Sequence, residues 1–174
     1  MSIGSALVRG VVGPLFIGHG TQKLFGWFGG HGIEGTGGFL ESLGWRPGRR
    51  FAVLAGILEL VGGIGLAFGF GTPLAAGVVA AVLANAAWFA HRRNGLWNTD
   101  GGFEYPLVLV TVALAVAWTG AGRFSVDHLV GWPLGGVRST LLALGVAIAG
   151  WLAGAATRHW STQARTGTAA DQAA

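Results

Sequence analysis

The residues of this chain best suited to joint chemistry are His19, Gln22 and Lys23 on one stretch and Glu59 on another. The first three are spaced i, i+3, i+4, so on a helix they share one face. Glu59 stands alone in the apolar run FAVLAGILELVGGIGLAFGFG, residues 51–71. That run is long enough to cross a bilayer, which takes roughly 20 apolar residues. A carboxylate inside it costs about 2.5–3.5 kcal/mol on insertion scales, so the chain should compensate it with a partner. Lysine would neutralise it. A histidine beside it in low dielectric could also carry protons, because small shifts move an imidazole through neutrality. Such a pair could protonate a quinone oxygen while electrons arrive from elsewhere.

Five apolar segments must position these groups: residues 4–28, 51–71, 72–90, 105–122 and 139–157. Each is near the length of a spanning helix, and helices are what backbone groups deprived of water demand. The expected fold is therefore all-α, a polytopic transmembrane helical bundle forming one membrane domain over 1–160, with a small, polar, disordered tail at 161–174. Pro73 suits the first turn of a new helix, so the second and third segments should form a tight antiparallel hairpin. Residues 36–45 read as a short interfacial helix. Trp27, Trp45, Trp88, Trp97 and Trp132 fall near segment ends, as an aromatic belt would. Gly65/Gly69 and Gly150/Gly154 have the GxxxG spacing of close helix contacts.

Depth follows from the 1.5 Å rise per residue: His19 lies roughly 13 Å and Glu59 roughly 12 Å from the same membrane face, with Lys23 and Asn85 nearer it at about 6–8 Å. Glu104 and Tyr105 open the fourth segment at that face. His19, Gln22, Lys23, Glu59, Asn85, Glu104 and Tyr105 are thus the candidates for a polar pocket in one half of the membrane. Alternatives stand beside each of them. An ion pair can simply fix helix register, Lys23 can snorkel to the headgroups, Gln22 and Asn85 can be interhelical glue, and an acid at a helix start favours the dipole with no further role. Arg9, in the other half, reads as snorkelling outward or pairing locally.

Composition supports the membrane reading. The 174 residues are 52% hydrophobic and 10% charged, against about 25% charged in a soluble domain. The arginines cluster at segment ends rather than on a basic face, so nucleic acid is not an expected partner. Arg46, Arg49, Arg50, Arg92, Arg93, Arg158 and Arg165 fall on one side and Arg123 and Arg138 on the other. By the positive-inside rule the first side is cytoplasmic, with the N-terminus outside and the C-terminus inside. There is no cysteine, and neither a metal-ligand spacing nor a pair of deep histidines for haem, so no covalent or metal cofactor is expected.

Several strings together resemble the DoxX family of small bacterial membrane proteins. They are GHGTQKLFGWFGGHG at 18–32, leading into GTGGFLESLGWRPG at 35–48; LAGILELVGGIGLAFGFGTPLAA at 54–76; and GGFEYPLVLVTVALAVAWTGAGRFSVDHL at 101–129. The resemblance implies a four-helix transmembrane core, to which residues 139–157 add a fifth helix, in a bacterial cytoplasmic membrane. It implies a link to redox physiology, since relatives include the membrane subunit of thiosulfate:quinone oxidoreductases and others are associated with oxidative stress and sulfur metabolism. The matching polar positions here are His19, Gln22, Lys23, Glu59, Glu104 and Asp127. The expected ligand is a quinone. The expected partners are the bilayer, a separate redox protein that supplies the catalytic centre, and, as an option left open, a second copy of the chain. A non-catalytic scaffold for redox or stress proteins and a small transporter are the competing readings.

Overall fold

The computed structural model describes residues 2–132 and 134–171, with side chains from 3 to 132 and 134 to 163. Among them every regular element is helical: α1 (Ser2–Phe25), α2 (Gly32–Ser42), α3 (Gly48–Phe68), α4 (Thr72–Asn85), α5 (Glu104–Thr119), α6 (Val126–Leu129) and α7 (Gly136–Asp171), with short 3-10 turns between. α4 runs on through a π turn, Ala86–His91. Among the described residues four stretches are long and apolar enough to cross a membrane: Ile3–Phe25, Gly48–Phe68, Thr72–Asn94 and Gly136–Gln163.

α5 has 16 residues and is shorter than these four, yet it runs from one end of the bundle to the other. Its first turn is tied to the loop that follows the α4 extension by Glu104 N donating to Leu96 O at 2.8 Å. Past its last turn, Gly120 O accepts from Ser5 Oγ of α1 at 2.8 Å. α3 and α4 form the expected hairpin, with Gly69 and Gly71 in left-handed conformations at φ 63° and 55° and Pro73 in the first turn of α4.

The exposed surface explains the solvent. Ile3, Leu7, Val11 and Leu15 form an outward stripe on α1; Leu54, Ile57, Val61, Ile64 and Phe68 do so on α3; Leu141, Leu142, Ile148 and Leu152 do so on α7. So much contiguous apolar surface is unstable in water and matches lipid tails. The interior is small and tight: Val12, Phe16, Leu66, Ala76, Val79, Ala113, Ala117 and Ala143 pack as one cluster.

The most extensive pairing is α1 on α3, and glycine makes it possible. A Cβ on Gly13 would stand 2.5 Å from Ala67 N, one on Gly20 2.7 Å from Gly56 O, and one on Gly63 2.7 Å from Ile17 N. Backbones this close gain dispersion along their whole length, which drives association where lipid offers no hydrophobic difference. Gly63→Ala is accordingly expected to lower stability by about 1–3 kcal/mol through overpacking. Thermal unfolding in detergent measures it, with Gly4→Ala, where nothing lies within 4 Å, as the silent control.

Two expectations change. Gly65/Gly69 is not a helix contact pair, because Gly69 is the left-handed cap that ends α3; Gly150/Gly154 is one, but it meets Ala81 and Asn85 of α4 within the same chain. Trp45 is no interfacial anchor: it is buried, and its Nε1 donates to Gly154 O at 3.0 Å. The backbone past Trp160 is helical to Asp171. Residues 172–174 lie outside the described residues.

Candidate functional site

Lys23 is in the last turn of α1, where a cation suits the helix dipole. Glu59 is in the middle of α3, on the face turned toward α1. The close α1–α3 approach brings them together. Lys23 Nζ lies 2.9 Å from Glu59 Oε1 and 2.7 Å from Oε2. Only the Oε1 contact is aligned as a hydrogen bond, so Oε2 is a buried acceptor with charge contact but no hydrogen bond. The Glu59 side chain is 7% exposed and that of Lys23 29%. Lys23 therefore does not extend to the headgroups; its stem reaches inward to the carboxylate.

His19 and Gln22 form a second pair on α1, His19 Nδ1 to Gln22 Oε1 at 3.1 Å. Gln22 Nε2 donates onward to Phe28 O at 3.2 Å. Phe28 holds a left-handed backbone at φ 51° without being glycine, a conformation that needs outside support, and the Gln22 amide supplies some of it. His19 packs edge-on against Phe16.

The other candidates go elsewhere. Asn85 Nδ2 donates to Ala81 O at 2.9 Å and to Gly150 O at 3.3 Å, so it binds α4 to α7 as interhelical glue. Its Oδ1 is buried without a hydrogen bond. Glu104 Oε2 accepts from Asn98 N at 2.9 Å and shapes the exposed loop before α5. Tyr105 is 44% exposed on the outside of α5.

Asp127 sits at the opposite end, in a buried polar knot with Arg9. Asp127 Oδ1 accepts from Gly71 N at 2.8 Å, and Oδ2 accepts from Thr72 N at 3.0 Å and Thr72 Oγ1 at 2.5 Å. It thereby serves donors at the start of α4 that have no intrahelical partner. Arg9, fully buried, answers at the end of α3. Nη1 donates to Leu66 O and Ala67 O, Nε to Ala121 O, and Nη2 to Phe124 O. Arg9 therefore neither snorkels nor pairs locally: its partners are 57 to 115 residues away. Sequence reading missed this knot. The signal available was the charge itself, an arginine in the apolar stretch where its cost is highest.

Among the described residues no group of three His, Asp or Glu side chains could hold a metal. Two cavities are described, and neither is lined by the Lys23–Glu59 pair. One, about 470 Å³, is an apolar groove between the end of α4, α5 and α7. The other, about 320 Å³, is a polar hollow beside Arg123, Asp127 and His128.

The sequence model of the DoxX family matches residues 4–92, which is α1 to the end of the α4 extension. A Bacillus subtilis protein with the name "Putative oxidoreductase CatD" is 30% identical over 128 residues, 74% of this chain and 87% of that one. An uncharacterised Haemophilus influenzae protein is 31% identical over 126 residues, 71% of this chain and 87% of its own. No solved structure matches the chain significantly.

Proposed function

From the premise that the chain belongs to the DoxX family, we propose that it is the membrane subunit or anchor of a quinone-linked redox system, of thiosulfate, sulfur or oxidative-stress type. The observation that carries this reading is the buried Glu59 carboxylate, held by the Lys23 ammonium at 2.9 Å and 2.7 Å within a membrane-spanning helix. A carboxylate in that state accepts a proton or a hydroxyl hydrogen bond. Lys23 holds it in place, and His19, steadied by Gln22, is the nearby group that can exchange a proton. A bound quinone would supply two-electron, two-proton redox chemistry. Its electrons come in this reading from a separate redox protein, in keeping with the oxidoreductase name of the Bacillus subtilis relative. By the positive-inside rule the end that carries Arg46, Arg92 and Arg158 faces the cytoplasm of a bacterial cell, with the N-terminus outside.

Extraction of quinone from protein purified in lipid tests this. Wild type is expected to retain quinone above the level of the surrounding lipid. Glu59→Gln, which keeps the shape and removes the charge, is expected to lower it about tenfold, the worth of a hydrogen bond to a charged group. Equal quinone content in folded wild type and Glu59→Gln would overturn the proposal.

A scaffold without chemistry is the second reading. It is favoured by the closure of the ion pair on itself and by the position of both cavities away from it. A transporter fits less well, because buried Val12 and Phe16 separate Arg9 from His19 along α1 and interrupt any polar file.

A further inference from the structure

We propose that the apolar groove between the end of α4, α5 and α7 is a binding site for an anionic phospholipid, with an acyl chain in the groove and the phosphate at Arg92 and Arg93. The proposal is independent of the quinone reading.

The groove walls are Ala87 and Trp88 from the α4 extension, Leu107 and Val110 from α5, and Ile148 and Trp151 from α7. Its volume of about 470 Å³ lies in the range of small-molecule sites, roughly 300–1,000 Å³. These walls offer almost no hydrogen-bonding group, so the groove selects for hydrocarbon. The π turn Ala86–His91 precedes the mouth. A π turn takes an extra residue per hydrogen-bonded loop, and so rotates Arg92 and Arg93 about the axis relative to a straight α-helix. Trp88 closes edge-on against Trp151, ring centroids 5.8 Å apart, and the Arg92 guanidinium lies 4.3 Å over the Trp88 ring.

Charge identifies the headgroup. Among the described residues neither Arg92 nor Arg93 has a carboxylate within ion-pair distance. Glu104, the acid at the start of α5, is turned to Asn98 N instead. Contact with the Trp88 ring restrains the Arg92 guanidinium, and a guanidinium presents paired donors that match phosphate oxygens. The arginines stand at a bundle end with Arg46 and Arg158, tied there by Arg158 Nε donating to Leu43 O and Trp45 packing on Phe89. Basic groups between helices at a membrane surface attract anionic lipid headgroups. An apolar groove with Arg92 in its wall and Arg93 next along the chain, neither matched by a carboxylate, thus fits one amphiphile with a negative head.

Native mass spectrometry of delipidated full-length protein, titrated with phosphatidylglycerol or phosphatidylcholine, tests the assignment. Wild type is expected to retain phosphatidylglycerol in preference to phosphatidylcholine. Arg92→Gln with Arg93→Gln should weaken phosphatidylglycerol at least about fivefold per charge removed and leave phosphatidylcholine unchanged. Arg123→Gln, at the other end, should alter neither. Ala147→Phe, which fills the groove, should reduce both lipids while the protein still unfolds cooperatively. Equal retention of the two lipids by wild type, or equal loss from the Arg92/Arg93 and Arg123 variants, would show only general surface binding and sink the proposal. So would phosphatidylglycerol retention that survives Ala147→Phe.

Discussion

Arg9→Met is expected to cost about 3–5 kcal/mol, the typical penalty for breaking a buried charged network by removing one member. The guanidinium binds four carbonyl oxygens in two separate stretches, Leu66 and Ala67 at the end of α3 and Ala121 and Phe124 after α5. Methionine fills similar volume and satisfies none of them. Leu66 O keeps the Gly69 N–H as a donor, but the guanidinium bonds to Ala67, Ala121 and Phe124 are lost, and an unmet buried acceptor bears its full desolvation cost. The change also removes a buried positive charge from the side of the turn that faces Asp127. Arg9→Lys keeps the charge but has a single ammonium with three donors, too compact to span both stretches, so an intermediate loss is expected. Asp127→Asn should destabilise the start of α4, where three hydrogen bonds end on the carboxylate. Because Arg9 and Asp127 brace the two sides of one turn, their losses should not add. Thermal unfolding of the two single variants and the double variant in detergent measures the coupling. Strict additivity, or an Arg9→Met protein as stable as wild type, would show that the knot does not hold the turn.

The second large effect concerns Lys23 and Glu59, and its sign pattern separates architecture from chemistry. Lys23→Met strands a carboxylate that is 7% exposed, so a loss of about 3–5 kcal/mol is expected. Glu59→Gln should cost less, because lysine is 29% exposed and can move its ammonium outward to headgroups and water. Replacing both, Lys23→Met with Glu59→Met, removes charge and partner together, and such replacements are commonly neutral or stabilising. The double variant should therefore be more stable than Lys23→Met alone. In the redox reading it should be stable and depleted of quinone. In the scaffold reading it should be stable and still dock its partner. Thermal unfolding together with quinone content resolves the two. A double variant less stable than Lys23→Met would mean that the charges are held by groups other than each other.

The Glu59–Lys23 contact was legible because it depends on one coordinate. Depth along a helix follows from residue count, and a lone charge in an apolar run must find a partner at its own level. Asn85 shows the limit of that coordinate. It shares the half of the membrane with Glu59, yet it faces α7, where Gly150 and Gly154 leave room for its amide. Depth says how far in a side chain lies and nothing of its direction around the axis. Trp45 failed in the same way: its place at a segment end suggested an interface, and its direction is inward.

The sequence alone determined the solvent, the helical class, the turn at Gly71–Pro73 and the level at which Glu59 needs a cation. All of these come from hydropathy, chain length and bilayer thickness, which act on each segment separately. Only the tertiary structure decided that Gly13, Gly20 and Gly63 join α1 to α3, that Asn85 belongs to α7, and that Arg9 and Asp127 tie the far end. The physical reason is that these helices are apolar on nearly every face. In water an amphipathic stripe announces which side is buried; in lipid, neighbours are chosen by close backbone approach and by where a buried polar group finds its hydrogen bonds, and both exist only once the helices are assembled.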